Sequence, residues 1–353
     1  MKTEAKIIVC YNAPVSVYSL YSGKENKLTD EIEDLSEKVF LQEIDIITSS
    51  LKNYFSEAEV LPIDRNINST YALLNNASPD AVFNFVESVE GIASFESFHA
   101  GIYELMGISY TGNKPQTLAN CLNKAFAKNI LKAFGINTPS YMICKDVAEL
   151  NKENFNLRFP VITKLLKEDA SIGISENSVV KSFEELTKQI EFLIKNFHQE
   201  VIIEEYIEGR EFNVAVLGDK ALPISEIKFD GLPDGLPKIV TYEGKWIADT
   251  IYYNNTVPSC PAKITNKQKK ILEETALKSF HALECRDYAR VDIRLTTDNI
   301  PYVIEVNPNP DISTDSGFSR AAKAAGLTYP ELLFNIAQFA LKRGENDSQN
   351  KAV

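Results

Sequence analysis

No block of basic residues appears in this 353-residue chain, whose formal net charge is −12. Nucleic acids are held by clustered Lys and Arg, so a nucleic-acid partner is not expected. A nucleotide bound by so acidic a protein needs a local basic pocket and a metal rather than the overall field. There is no CxxC pair. The five cysteines, Cys10, Cys121, Cys144, Cys260 and Cys285, are odd in number and widely spaced, which reads as reduced cytosolic thiols used mostly in packing. The three histidines, His99, His198 and His281, share no metal-ligand spacing, so a zinc site is not expected. No apolar run approaches the length that spans a bilayer, and no membrane partner is expected. The N-terminus, MKTEAKIIVCYN, enters a strand-like run with no leader pattern before it. The expected location is the cytoplasm. No internal repeat of solenoid length is visible.

What is present is an ordinary globular composition, 44% hydrophobic and 24% charged, at a length that suits two or three domains. Residues 1–115 alternate strand and helix: strand Ala5–Tyr11, turn Asn12–Pro14, helix Asp30–Asn53, strands Glu59–Leu61 and Ala81–Phe85, helix Ser94–Met106, strand Ile108–Tyr110. That rhythm predicts a parallel α/β sheet. Ligands sit beyond the carboxyl ends of such strands, so the loops after Tyr11 and Phe85 are candidates for ligand contact. Residues 116–215 read as a smaller α+β unit. It has one helix over Thr117–Phe134, a strand Phe159–Lys164, a polar loop Lys167–Ile174, a helix Phe183–Asn196 and strands Val201–Ile207 and Phe212–Leu217. The last two strands, joined by Glu208–Glu211 (EGRE), read as a hairpin. Along the first helix Lys124, Lys128 and Lys132 recur at four-residue spacing; for two of them a solvated face is the expected setting. Residues 216–342 hold a loop Asp230–Pro237, a long helix Ile264–Glu284, two strand-like runs and helices Gly317–Ala325 and Pro330–Lys342. Residues 343–353 read as a polar, flexible tail.

The most informative stretch is Asp287–Ser316. Its runs Val291–Leu295 and Pro301–Val306 flank a polar turn, Thr296–Asn299. Asp292, Glu305 and Asn307 project from strand ends, with Arg290 just before Asp292. Two carboxylates and an amide oxygen suit Mg²⁺ that also holds phosphate oxygens, and carboxylates at adjacent strand ends repel each other without a cation. The other reading is a surface hairpin with scattered charges.

Several separated motifs agree in order. They are Tyr110–Asn113 (YTGN), Asn123–Lys128 (NKAFAK), Phe159–Lys164 (FPVITK), Ala170–Gly173 (ASIG), Glu204–Glu211 (EEYIEGRE), Lys245, Cys260–Ala262 (CPA), Arg290–Asp292 (RVD) and Glu305–Asn307 (EVN). On these motifs the chain resembles the ATP-grasp superfamily and, within it, the D-alanine–D-alanine ligase family, from about Ala81 to Leu333. The resemblance implies a three-domain ATP-grasp fold with ATP between the last two domains. It implies that Lys124 and Lys164 hold ATP phosphates, with Lys245 on a loop that closes over them. Ser171 lies in the small-residue loop whose backbone approaches the phosphates. Glu204, Glu205 and Ile207 would read the adenine edge, Glu204 accepting from its amino group, and Glu211 would accept from the ribose. Asp292, Glu305 and Asn307 would bind two Mg²⁺ ions, with Mn²⁺ as the alternative. Arg290 would stabilise a tetrahedral oxyanion, and Ser316 would bind a substrate carboxylate. Related ligases are often dimers, so a homodimer is implied by analogy.

The departures from the family cluster on the substrate side. Asn84–Ala93 (NFVESVEGIA) lacks the family's histidine, Ala170 replaces a loop serine, Trp246 follows Lys245 where tyrosine is usual, and Pro308–Asp311 replaces Thr-Ser-Pro-Gly. The serine–glutamate signature is not evident in Asn12–Ser22. The implied function is an ATP-dependent ligase joining a small carboxylic or amino acid to an amine through an acyl phosphate, with an altered substrate side. Glu87, Glu90, Asp311 and Asp315 are expected near the arriving amine, the alternative being ordinary loop charge. The competing readings are a true D-alanine–D-alanine ligase and an ATP-binding protein without ligase activity.

Overall fold

The structure, a computed structural model, describes residues 2–13 and 35–351. The turn at Pro14, the start of the helix expected from Asp30 and the comparison through Ser22 therefore lie outside the described residues. The chain opens with β1 (Thr3–Asn12), α1 (Leu35–Leu51), β2 (Phe55–Ile63), α2 (Ile67–Ala77), β3 (Ala81–Phe85) and α3 (Phe95–Met106). The three strands form a parallel sheet in the order β2-β1-β3. Ile7, Ile8, Val9 and Cys10 are all buried, as expected of a parallel strand covered on both faces. Ile7 and Val9 meet one core and Ile8 and Cys10 the other. Helix α2 escapes sequence reading because only Thr70 and Leu74 are buried along it, too narrow a stripe to mark a helix. The expected strand Ile108–Tyr110 reduces to a single bridge from Tyr110 to Val82.

The helix expected over Thr117–Phe134 is two: α4 (Pro115–Leu122) and α5 (Lys124–Ala133). The break is at Asn123, whose side chain accepts hydrogen bonds from the amides of Ala125 and Phe126 and so caps α5. Then follow β4 (Tyr141–Cys144), β5 (Val161–Leu165), β6 (Val179–Val180), α6 (Phe183–Phe197) and β7 (Val201–Glu205). These strands form an antiparallel sheet in the order β4-β7-β5-β6, and α6 covers it with Leu186, Ile190 and Leu193.

The expected hairpin across Glu208–Glu211 does not form. The next strand, β8 (Arg210–Leu217), joins a different sheet. That sheet also holds β9 (Lys220–Ala221) and β10 (Ser225–Lys228), and after α7 (Tyr242–Trp246) and α8 (Ile251–Asn255), β11 (Val257–Ser259). After α9 (Asn266–Ala282), β12 (Tyr288–Leu295) and β13 (Pro301–Asn307) complete it. The order is β11-β10-β8-β12-β13, with β9 paired to β8. Both edges of β7 are taken by β4 and β5, and both edges of β8 by β10 and β12, so the two cannot pair with each other. The chain crosses between sheets at residues 206–209. Gly209 has φ +153, and a Cβ there would overlap the Leu295 carbonyl oxygen.

One face of this sheet packs Val214, Val216, Val291 and Ile293 against Leu272, Ala276 and Phe280 of α9. The last helices, α10 (Gly317–Ala324) and α11 (Tyr329–Lys351), send Phe318, Leu333 and Ile336 into the core that also holds Ile7, Val9 and Phe83. Helix α11 passes the expected stop at Lys342. Arg343, assigned to a flexible tail by its polar surroundings, donates to Asp287 (2.8 Å) and to the Tyr110 carbonyl (2.7 Å), and these bonds fix the start of that segment. Among the described residues no helix is long and apolar enough to cross a membrane.

Gly209→Ala should lower stability by about 1–3 kcal/mol, the usual cost of forcing atoms into filled space, read as a shift of the urea midpoint. His99 is buried on α3 with its Nε2 3.0 Å from the Tyr103 hydroxyl, and burial pushes its pKa down to about 4 from 6.5. The unfolded chain therefore takes up a proton that the folded chain refuses as pH falls below 6.5. Stability from this group is complete above pH 6.5 and is lost progressively down to about 4. His99→Gln should flatten the melting temperature across that window.

Candidate active site

A cavity of about 1110 Å³ lies between the two antiparallel sheets and reaches the carboxyl ends of β1 and β3, where Asn12 and Glu87 line it. Its floor is the β12–β13 hairpin. Residues two apart on a strand share a face, as do residues directly opposite across a ladder. Arg290 pairs with Asn307, and Asp292 pairs with both Glu305 on β13 and Asn213 on β8. These five polar side chains therefore stand on one face, and all five line the cavity.

The floor is tightly bonded. Arg290 grips Asp292 with two hydrogen bonds, 2.8 Å to Oδ1 and 2.9 Å to Oδ2. Asn213 donates to Oδ1 at 2.7 Å and Asn307 to Oδ2 at 3.1 Å. Burial works against the Arg290 charge, but Asp292 outweighs it and the guanidinium pKa rises. A bulge after Asp292 leaves Ile304 as an extra residue between the Asp292–Glu305 and Ile293–Val303 pairs. Its carbonyl accepts from Lys128 at 2.9 Å.

The lysines divide. Lys164 and Lys245 line the cavity. Lys124 is not itself in the lining; its ammonium sits against the lining residues Glu305 (3.1 Å), Asp169 (3.5 Å) and the Glu168 carbonyl. Burial alone would raise the Glu305 pKa, but Lys124 and then Lys164 bring it to about 2. Lys245 is exposed to the cavity, yet the dense protein around it lowers its pKa, with Arg290 adding repulsion. Lys128 corrects the expectation of a solvated stripe. It is 2% exposed, because it shares the buried face of α5 with Lys124 and Leu131. It donates to the Thr138 hydroxyl at 3.2 Å and forms an ion pair of 3.1 Å with Glu204. The other Glu204 oxygen takes Lys164 at 3.0 Å. Thus Glu204, expected to meet an amino group, has its carboxylate between two ammonium groups and is 1% exposed. Burial disfavours its charge, but the two lysines win and its pKa falls.

Glu205 and Ile207 continue the same wall, with the Glu205 carboxylate on Arg158 (3.2 Å) at the surface. Glu211 lines the cavity and pairs with Arg294 at 2.7 Å. Ser171 sits at the tip of the small-residue loop with φ +62. Trp246, on the helix that carries Lys245, ties that helix to the loop by donating to the Ala170 carbonyl at 3.1 Å.

At the far end the cavity is lined by Glu87, Glu96, Asp311, Asp315 and Ser316. Ser316 accepts from the Ser319 amide at 3.2 Å and caps α10. Glu90 is not in this group; its carboxylate meets Arg65 at 2.7 Å. Glu96 was not anticipated. It accepts from Asn309 at 3.0 Å, and burial, with Glu87 and Asp169 nearby, raises its pKa. Asn309 also accepts from the Asn113 amide at 3.0 Å, so the YTGN motif holds the Pro308–Asp311 loop in place. Among the described residues no group of three His, Cys, Asp or Glu side chains is placed to hold a metal ion. The hard-oxygen set at the floor is two carboxylates and an amide.

Residues 130–338 match the family model described as D-ala D-ala ligase C-terminus. An uncharacterised protein of Sinorhizobium fredii is 32% identical over 262 residues, covering 74% of this chain and 75% of that protein. A D-alanine–D-alanine ligase of Nitrosospira multiformis is 30% identical over 240 residues, covering 68% and 74%. The crystal structure of a Bacillus anthracis D-alanine–D-alanine ligase complexed with ATP superposes with TM-score 0.71 at 23% identity, over 97% of this chain and 100% of that one. The VanG D-Ala:D-Ser ligase of Enterococcus faecalis gives TM-score 0.68 at 23% identity, over 95% and 99%. At such identities the two structures speak to the fold alone.

Trp246 is the only tryptophan in the chain and it lines the cavity. Titration with ATP and Mg²⁺ should therefore change the intrinsic tryptophan emission in a saturable way, and Lys164→Met should move the midpoint to higher nucleotide concentration.

Proposed function

The chain belongs to the D-alanine–D-alanine ligase family of ATP-grasp proteins, and from that premise we propose that it is an ATP-dependent carboxylate–amine ligase whose substrate side has diverged. The observation that carries the reading is the single cavity that unites Arg290, Asp292, Glu305 and Asn307 on its floor with Lys164 and Lys245 on its walls. A triphosphate is matched by cations in an enclosed site. Ile207 and the backbone beside Glu204 and Glu205 would face adenine, and Glu211 the ribose. Lys124 would act through Glu305 and the 168–169 loop, which it holds.

The chemistry runs in two transfers. A substrate carboxylate oxygen attacks the γ-phosphorus, the bond to the bridging oxygen breaks, and ADP leaves an acyl phosphate. An amine then attacks the acyl carbon, a tetrahedral oxyanion forms, and phosphate departs as the amide forms and the amine loses its proton. Arg290 would meet the oxyanion charge. Lys164 and Lys245 would offset charge on the transferring phosphoryl group. Ser316 would hold a substrate carboxylate. The donor set of Asp292, Glu305 and Asn307 fits Mg²⁺ in kind, with Mn²⁺ as the alternative. Up to two such ions, when bound, would neutralise phosphate charge.

Glu87, Glu96, Asp311 and Asp315 at the far end support a diverged acceptor, one with more positive charge than D-alanine. A genuine D-alanine–D-alanine ligase is favoured instead by the Nitrosospira relative. A cytoplasmic enzyme, forming a homodimer by analogy with related ligases, completes the proposal. ADP release screened against D- and L-amino acids and small carboxylic acids should show amine-dependent turnover for a pair other than two D-alanines. Robust turnover with D-alanine alone would establish the second reading. ATP binding with no amine-dependent ADP release across the panel would leave a nucleotide-binding protein.

A further inference from the structure

Lys128 has no place in the chemistry above, yet it is among the most deeply buried side chains in the molecule. Its ammonium lies among three acceptors on three different elements. They are the Thr138 hydroxyl before β4, the Ile304 carbonyl at the bulge of β13, and Glu204 at the end of β7. It thus touches both sheets that wall the cavity without lining the cavity itself. A lone buried ammonium would be strongly disfavoured, so this one is held by what it contacts.

The consequence is electrostatic. Glu204 faces two lysines, Lys128 on Oε1 and Lys164 on Oε2. Together the three groups carry one net positive charge; Lys164 and Glu204 line the cavity and Lys128 stands behind them. Without Lys128 the remaining pair would be neutral, and Glu204 would hold Lys164 by itself. We infer that Lys128 is a positioning residue for anion binding: it occupies Glu204 from behind, so that Lys164 presents its charge to the cavity. Its bond to the Ile304 carbonyl also sets the position of the adjoining Glu305 on the floor.

The inference rests on the nucleotide reading, so ATP binding by the parent protein, measured by calorimetry with Mg²⁺, is the separate check on that premise. Given such binding, Lys128→Met should weaken ATP affinity about ten- to a hundredfold, the range for losing a charged hydrogen-bonding partner. Competition by adenosine, which has no phosphates, should be unchanged. The double variant Lys128→Met with Glu204→Gln restores one net positive charge at Lys164 and should recover most of the ATP affinity. Equal weakening of ATP and adenosine would show a merely structural lysine and overturn the inference. So would unchanged ATP affinity, or a double variant no better than the single one. If the single variant does not fold, the double variant decides, since its one remaining charge, on Lys164, borders the cavity rather than being sealed from it. ATP affinity near the parent value supports the inference, and a large loss of it overturns it.

Discussion

A carboxylate that is 1% exposed must find cations or lose its charge, and Glu204 finds two. Much of the site depends on that pairing. Lys164 comes from β5, Glu204 from the neighbouring β7, and Lys128 from α5 behind the sheet. Lys128 then reaches the Ile304 carbonyl on β13, in the other sheet. The ion-pair chain therefore does mechanical as well as electrostatic service, because the two walls of the cavity cannot move apart without exposing a desolvated ammonium. Lys124 repeats the device one helical turn earlier, joining Glu305 to the small-residue loop.

The floor follows a different rule. There the ladder register alone brings Arg290, Asp292, Glu305 and Asn307 together, and each Asp292 oxygen accepts from two donors. The patch is preorganised before any ligand arrives, which is what stabilisation of a transient charge requires. The opposite end is built mostly from loops: Glu87 after β3 and Asp311 and Asp315 after β13, with Glu96 in the first turn of α3. These loops are held by Asn113 and Asn309 rather than by a sheet ladder. Such loops change chemistry without disturbing the core, and the proposed divergence of the acceptor falls on them.

The parts read correctly from the residues were local ones. Strand β3 spans Ala81–Phe85, the strand-like run AVFNF that the turn residues Ser-Pro-Asp introduce. The β12–β13 hairpin followed from two runs around Thr296–Asn299, and the amide of Asn299 does bond to the Thr296 carbonyl at 2.9 Å. The errors were non-local. Nothing within Val201–Leu217 says that β7 and β8 belong to different sheets, since each strand is saturated by partners remote in sequence. The break at Asn123 was closer to hand, because an asparagine ahead of two free amides is a cap wherever it stands.

Lys128 divides what the sequence holds from what the fold adds. The residue types, their order and the motif spacings determined the family, the hairpin and most of the cavity wall, because those depend on neighbours along the chain. Leu131, three residues beyond Lys128, even hinted that the lysine lies on a buried face. Only the tertiary structure decided that it is buried, that Glu204 serves two lysines, and that Lys124 reaches the cavity wall through Glu305 rather than lining it itself. A long cation can reach water or snorkel inward with almost equal ease. The choice is made by which carboxylates the folded sheets bring within reach.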